Sequence, residues 1–222
     1  IYVESLGNPE LNAVNIKELS KIAQKYCLPL VVDNTLGCCG FVCKPIREGA
    51  DIVLASLTKW GGGHGTCLGG IVIDSGNFDW SSGRFDEFTR PDPAYKNLSV
   101  WDEYGCESEG SKRIGLPFYK NAALAIKMRL DKLRDWGPTL SPFNAFVILQ
   151  GIETLGLRVK QANENALVIA QMPEEEEQYS LEVTLTNMLN SNNIKALPSL
   201  NLLKQWGTAS TLASDSLKNI IA

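Results

Sequence analysis

Apolar runs that each close on a polar residue, with stretches of different periodicity between them, set the strongest limit on what this chain can fold into. Leu30-Val31-Val32 ends in Asp33, Asp51-Ile52-Val53-Leu54-Ala55 ends in Ser56, and Gly70-Ile71-Val72-Ile73 ends in Asp74. Short continuous apolar runs of this kind mark strands covered on both faces. Ile1-Tyr2-Val3-Glu4 reads as a further strand. Natural domains rarely open inside a core strand, so a preceding segment is expected. Between the first two strands Ile16, Leu19, Ile22, Ala23 and Tyr26 recur at helical spacing, with Asn15 and Glu18 placed as a variant capping box. Arg47 to Ala50 suits a helical turn. Strands separated by helices give an α/β fold with a mainly parallel sheet.

The rest of the chain changes character twice. Residues 75–110 are rich in Gly, Ser, Asp and Pro and read as a long surface excursion with little regular structure. Asn121 to Trp136 is helical by period. Ser141-Pro142 then opens a long helix, with Ser as N-cap and Pro at the first helical position. That helix is expected to reach about Gln171, bending at Gly151 or Gly156. Pro173 is followed by four glutamates, and residues 173–222 contain no arginine. That stretch has neither a βαβ pattern nor a long amphipathic helix. The expected organisation is therefore 1–136, a long connecting helix over 137–172, and an unassigned segment 173–222.

Bulk properties exclude some function classes. A net charge of -4 over 222 residues leaves no basic footprint for nucleic acid. No apolar run is long enough to span a bilayer, and no secretory leader is evident at the start. The six cysteines form no C-x-x-C pair. Cys38, Cys39 and Cys43 lack a fourth ligand at zinc-like spacing. Reduced thiols in a cytoplasmic protein are the expectation.

The residues that carry chemistry sit just past strand ends. Ligands of open α/β sheets bind beyond the carboxyl ends of the strands. Asp33 there could pair with a pyridinium nitrogen and keep it protonated; taken alone, it is better explained as a cap on the next turn. Ser56-Leu57-Thr58-Lys59 offers two hydroxyls to a phosphate ester and an amine that can form an imine with an aldehyde. Lys59 taken alone reads as a solvated cation. Gly61-Gly62-Gly63-His64-Gly65 lets backbone approach a ligand closely. It is neither a P-loop, because the lysine precedes the glycines, nor a Rossmann fingerprint. His64, the only histidine, is read as a loop-packing residue without a serine elbow to serve.

Jointly, these blocks resemble a known family. Glu4-Ser5-Leu6-Gly7-Asn8-Pro9, Val32-Asp33-Asn34-Thr35, Gly49-Ala50-Asp51-Ile52-Val53, Ser56-x-Thr58-Lys59-Trp60 and Gly62-Gly63-His64-Gly65-Thr66 are similar, in order and spacing, to the Cys/Met-metabolism pyridoxal-phosphate (PLP) enzymes. Leu133-Arg134-Asp135-x-Gly137-Pro138, Ser141 to Phe146 and Gln150 to Leu155 extend the match to about residue 172. Within the family the blocks look most like the O-acetylhomoserine sulfhydrylase branch.

The resemblance implies a type I aminotransferase-like fold, with residues 1–136 as the C-terminal part of the PLP-binding large domain. It implies that Lys59 is the catalytic, cofactor-linking lysine and that Asp33 binds the pyridine nitrogen. Ser56 and Thr58 would bind the phosphate, and Asn8 would lie beside the cofactor ring and the substrate carboxylate. The implied cofactor is pyridoxal 5'-phosphate. The implied reaction is γ-replacement on an O-acylhomoserine by sulfide, a thiol or a carbon nucleophile, as in homocysteine synthesis and transsulfuration. A family lyase or cystathionine γ-synthase, or a non-catalytic remnant, remains an open alternative. The implied assembly is a homo-oligomer, a dimer of dimers, acting on a small amino-acid substrate without nucleic acid or membrane.

Overall fold

The computed structural model describes residues 1–171; the unassigned segment 173–222 lies outside the described residues. Strand β1 (Tyr2–Glu4) is followed by helix α1 (Ile16–Lys25), then β2 (Val31–Asp33), β3 (Ile52–Ser56) and β4 (Gly70–Asp74). The sheet order is β1-β2-β3-β4. β1, β2 and β3 run parallel, as expected, while β4 returns antiparallel to β3 with Ser56 opposite Gly70. Apolar content marks a strand but carries no sign of its direction, so sequence could not foresee this reversal.

The alternation of side chains along each strand divides the core in two. Val32 and Val53 point to one face, where they pack with Ile16, Ala23, Leu30 and Ala50. Helix α1 covers that face because its apolar residues fall on one stripe. Its start is fixed by Asn15, whose Oδ1 accepts the Glu18 N–H at 3.1 Å. A 3-10 turn, Pro45–Glu48, adds Ile46 to this face, and Gly49 closes it with φ 99°. Val31, Ile52 and Leu54 point to the other face, against Trp80, Phe88, Val100 and Ala123.

That second face overturns the reading of residues 75–110 as a surface excursion. The segment carries short helices α2 (Asp86–Thr89) and α3 (Val100–Tyr104); Trp80 and Phe88 are core, and Phe78, Phe85 and Trp101 pack against them. Trp80 is 5% exposed and stacks on Phe88 with ring centroids 4.5 Å apart; Phe78 and Phe85 meet Trp80 edge-on at 4.7 and 5.1 Å. Large rings can anchor aperiodic backbone, which a periodicity argument does not register. Helix α4 (Glu109–Arg113) follows, then α5 (Ala123–Lys127), which passes through a π-helical stretch (Met128–Leu133) into α6 (Arg134–Trp136).

Helix α7 (Pro142–Glu153) begins where expected, with Ser141 Oγ accepting the Asn144 N–H at 3.1 Å. It stops at Glu153, and α8 (Leu155–Ala170) starts anew, so the expected bend is a break at Thr154, between the two glycines proposed for it. Two compact units are distinguished: Ile1–Ser5 with Val14–Leu155, and Leu6–Ala13 with the chain from Gly156. No helix among the described residues is long and apolar enough to cross a membrane.

Two carboxylates lie at the end of the sheet away from the carboxyl edge of its parallel strands. Asp51 Oδ2 accepts the Leu30 N–H at 2.9 Å, and Asp74 Oδ1 accepts the Gly76 N–H at 2.9 Å. Burial pushes both carboxyls above their ordinary range, against those hydrogen bonds, and the Asp74 charge pushes Asp51 up further. A carboxyl whose folded pKa is raised binds its proton more tightly folded than unfolded, so its contribution to stability falls as pH rises through the folded value.

Two expectations follow from these contacts. Trp80→Ala should cost about 3–5 kcal/mol in urea unfolding, whereas Trp136→Ala, at a residue 78% exposed, should stay within about 0.5 kcal/mol; equal costs would return residues 75–110 to the surface. In the second experiment, Asp51→Asn/Asp74→Asn keeps acceptor oxygens but removes the titration. Wild-type stability should rise relative to that variant as pH is lowered from neutral toward the ordinary carboxylate range. A fall would show that the buried carboxyls are held low instead of high.

Candidate active site

The carboxyl ends of the three parallel strands are Glu4, Asp33 and Ser56. Register brings them side by side, with Glu4 opposite Asp33 and Asp33 opposite Leu54. Ser5 continues β1 by donating its N–H to the Asp33 carbonyl at 2.9 Å, and Asn34 continues β2 by donating to the Leu54 carbonyl at 2.7 Å.

Asp33 caps its own turn, as an isolated strand-end Asp should. Its Oδ1 accepts the Thr35 N–H at 2.9 Å and the Thr35 hydroxyl at 2.6 Å, an Asx-type turn. That role engages one oxygen. The other, Oδ2, accepts the Tyr2 hydroxyl at 3.2 Å. Burial, then the Asp33 charge, raises the Tyr2 phenol above its ordinary value. Between Asp33 and Thr35, Asn34 turns inward to 2% exposure and donates to the Cys43 carbonyl at 2.9 Å. Its Oδ1 lies where a Cβ on residue 37 would come within 1.9 Å, so Gly37 is required there.

Thr35 also reaches the next strand. Its Oγ1 accepts the Ser56 N–H at 2.9 Å. Beyond Ser56 the chain enters a π-helical turn, Leu57–Gly61, in which Lys59 departs from helical geometry at φ -88° and ψ -108°. Gly62 and Gly63 close the turn with N–H bonds to the Leu57 and Lys59 carbonyls at 2.7 and 2.8 Å. Thr58 staples it to the start of β4: the Gly69 N–H donates to Thr58 Oγ1 at 3.0 Å, and the Thr58 N–H to the Gly69 carbonyl at 3.2 Å. The Thr58 hydroxyl itself lies 3.3 Å from the Gly69 carbonyl, a long bond that a stronger acceptor could displace. His64 is exposed, and its Nδ1 lies 2.7 Å from the Gly62 carbonyl, a loop-packing contact in which the nitrogen donates.

The Ser5 hydroxyl, on a residue 7% exposed, has no hydrogen-bond partner among the described residues. The Ser56 hydroxyl and the exposed Lys59 amine lie at the same edge. A buried hydroxyl without a partner costs stability unless a ligand supplies one. Hydroxyl donors, a cation that can act as a nucleophile, and a carboxylate oxygen on the neighbouring strand form a donor set that fits a phosphorylated heteroaromatic aldehyde. Asp33, Ser56, Thr58 and Lys59 belong to one compact unit. Asn8 belongs to the other, on the exposed Leu6–Ala13 loop, which is held by its own Gly7–Asn12 and Leu11–Gly7 backbone bonds.

Helix α7 fixes the lysine turn from outside. Asn144, Ile148 and Gly151 lie on one helix face. Asn144 Nδ2 donates to the Leu68 carbonyl at 2.9 Å, Ile148 packs on Gly69, and a Cβ at Gly151 would stand 2.2 Å from the Gly62 carbonyl oxygen. Sequence reasoning assigned no site role to Thr35 or Tyr2, and took Gly151 only as a candidate bend. The signals available were a threonine two residues after a strand-end Asp and a glycine inside a strongly helical run.

Residues 1–193 match the model of the Cys/Met metabolism PLP-dependent enzyme family. The chain is 47% identical over 171 residues to the O-acetyl-L-homoserine sulfhydrylase of Leptospira meyeri, covering 77% of this chain and 37% of that protein. It is 41% identical over 177 residues to the homocysteine/cysteine synthase of Saccharomyces cerevisiae, covering 79% and 36%. A crystal structure from Campylobacter jejuni, described as an O-acetylhomoserine (thiol)-lyase bearing a pyridoxyl-lysine phosphate, superposes with a TM-score of 0.62 at 30% identity, covering 78% of this chain and 40% of that one. The chain thus spans little more than a third of the length of the curated relatives it matches.

The contact between α7 and the lysine turn can be tested directly. Gly151→Ala forces either the helix or the Gly61–Gly62 backbone to move, at about 1–3 kcal/mol. Hydrogen exchange at Gly62 and Gly63 should quicken in the variant. Unchanged stability and exchange would mean that the helix does not brace this turn.

Proposed function

This chain belongs to the Cys/Met metabolism PLP-dependent enzyme family, and we propose that it forms part of an enzyme catalysing γ-replacement on an O-acylated homoserine, with sulfide or a thiol as the incoming nucleophile. The observation that carries this reading is the carboxyl edge itself: the Asp33 carboxylate, hydrogen-bonded through Thr35 to the strand end whose turn presents the exposed Lys59 amine. The names of the relatives support the substrate class. The same reading takes a small amino-acid substrate and a dimer-of-dimers assembly in the cytoplasm.

The chemistry that bound PLP supplies is an electron sink conjugated to the substrate α-carbon. Asp33 would keep a proton on the ring nitrogen through its negative charge. Ser56 Oγ and Thr58 Oγ1 would donate to phosphate oxygens, Thr58 exchanging its long bond to Gly69. Lys59 Nζ would hold the cofactor at its aldehyde carbon and, once freed by the incoming substrate amine, would serve as the base and acid that moves protons at the substrate α- and β-carbons. Asn8 is assigned to the substrate carboxylate by resemblance. The π-helical turn gives Lys59 the freedom these roles demand, since its side chain is exposed while its backbone is clamped at Thr58 and Gly62.

Borohydride reduction of the full-length protein with its cofactor should fix a pyridoxyl group on Lys59, located by peptide mass mapping. A label on Lys44 or Lys112 with Lys59 unmodified would remove Lys59 from its role. Assay with O-acetylhomoserine and sulfide, set against cystathionine, then separates replacement from lyase chemistry.

A further inference from the structure

The Thr35 hydroxyl bonds both the Asp33 carboxylate and the strand end leading to Lys59. It has one proton, and the 2.6 Å contact to Asp33 Oδ1 uses it. Its lone pair is then left to accept the Ser56 N–H at 2.9 Å. The bonds therefore have a fixed polarity, Ser56 N–H to Thr35 Oγ1 and Thr35 Oγ1–H to Asp33 Oδ1. The Thr35 N–H adds a second donor to the same oxygen at 2.9 Å. Both Thr35 donors fall on Oδ1, so Oδ1 is occupied as an acceptor. Oδ2 keeps one partner, the Tyr2 hydroxyl at 3.2 Å.

We propose that Thr35 is a positioning residue: its hydroxyl selects Oδ2 of Asp33 as the oxygen offered to a cofactor ring nitrogen and fixes the spacing between that carboxylate and the Ser56–Lys59 turn. The proposal rests on the functional reading above and deepens it. Asp33 and Ser56 come from different strands, and each end of a bound cofactor would rest on one of them. Backbone pairing of β2 with β3 sets their separation along the strands; the Thr35 bonds set the rotation of the carboxylate, which pairing alone leaves undetermined. A valine in this place would keep the shape, leave the Ser56 N–H without its acceptor and free Asp33 to turn about its χ2 torsion, which is broad for a carboxylate.

The test uses the full-length protein and its Thr35→Val and Thr35→Ser variants, titrated with PLP labelled with 15N at the ring nitrogen. In Thr35→Val the PLP dissociation constant should rise at least about tenfold, the scale of one hydrogen bond to a charged group. The 15N signal of the bound ring should also move toward that of neutral pyridine, reaching its midpoint at lower pH than in wild type. Thr35→Ser should restore both. Among the described residues the Tyr2 hydroxyl bonds Asp33 and Glu4 stands opposite it on β1, and the Thr35→Val shift should persist in Tyr2→Phe and Glu4→Gln backgrounds. If Thr35→Val does not fold, Thr35→Ala gives the same two readouts. A wild-type 15N titration in the Val or Ala variant would overturn the proposal, even with stability reduced, because the residue would then be structural only. A Ser variant that behaves like Val would overturn it too, by shifting the effect from hydroxyl to methyl. A wild-type protein that takes up no PLP would instead refute the functional reading itself, and the proposal with it.

Discussion

The parallel pairing of β2 on β3, which sets Asp33 opposite Leu54, is the constraint on which the site depends. A shift of one residue would turn Val32 and Val53 out of one core and Val31, Ile52 and Leu54 out of the other. Both faces of these strands are buried, so no alternative register keeps the cores filled. The placement of a carboxylate beside a serine–lysine turn is thus enforced by hydrophobic packing some distance from any polar group. Hydrogen bonds then refine what packing has placed: Thr35 orients the carboxylate, and Thr58 ties down the turn.

Glycine serves this site mainly by permitting backbone contact. At Gly37 the missing Cβ makes room for the Asn34 amide, which holds the loop after β2 against Cys43. At Gly151 it lets α7 lie directly on the carbonyls of Gly61 and Gly62. A contact between main chains has no rotamers to relax, so it transmits position more stiffly than a side-chain contact does. The lysine turn is therefore bounded by Ser56 and Thr58 on one side and by helix backbone on the other.

Much of this was legible in the sequence, for identifiable reasons. The Asn15 and Ser141 caps are local signals, and both bonds form as their spacing indicates. Strand positions were set by apolar runs, and three of the four strands run parallel, as alternating helices imply. What escaped was non-local. Thr35 bonds a residue 21 positions away, and nothing in its neighbourhood announces that partner. The direction of β4 depends on how a glycine-rich turn closes. The burial of Trp80 and Phe88 depends on rings finding one another across irregular backbone. The break at Thr154 falls between two glycines that each seemed a natural bend, because α8 starts its own hydrogen-bond ladder at Leu155.

The antiparallel return of β4 has a consequence for how this region can vary. Ser56 faces Gly70, and Thr58 is bonded to Gly69, so the intervening chain is an excursion sewn shut at its neck. Its outermost residues, Gly63 to Thr66, are all exposed. The entropy of closing such an excursion grows only with the logarithm of its length, so each doubling adds about 0.6 kcal/mol. Residues can be added at the tip at small cost while the neck keeps the lysine where it is. In a lineage of related chains this is a natural place for length to drift, and for an engineer it is a handle: a tag or a recognition loop inserted there would sit a few residues from the Lys59 amine without being part of what holds it.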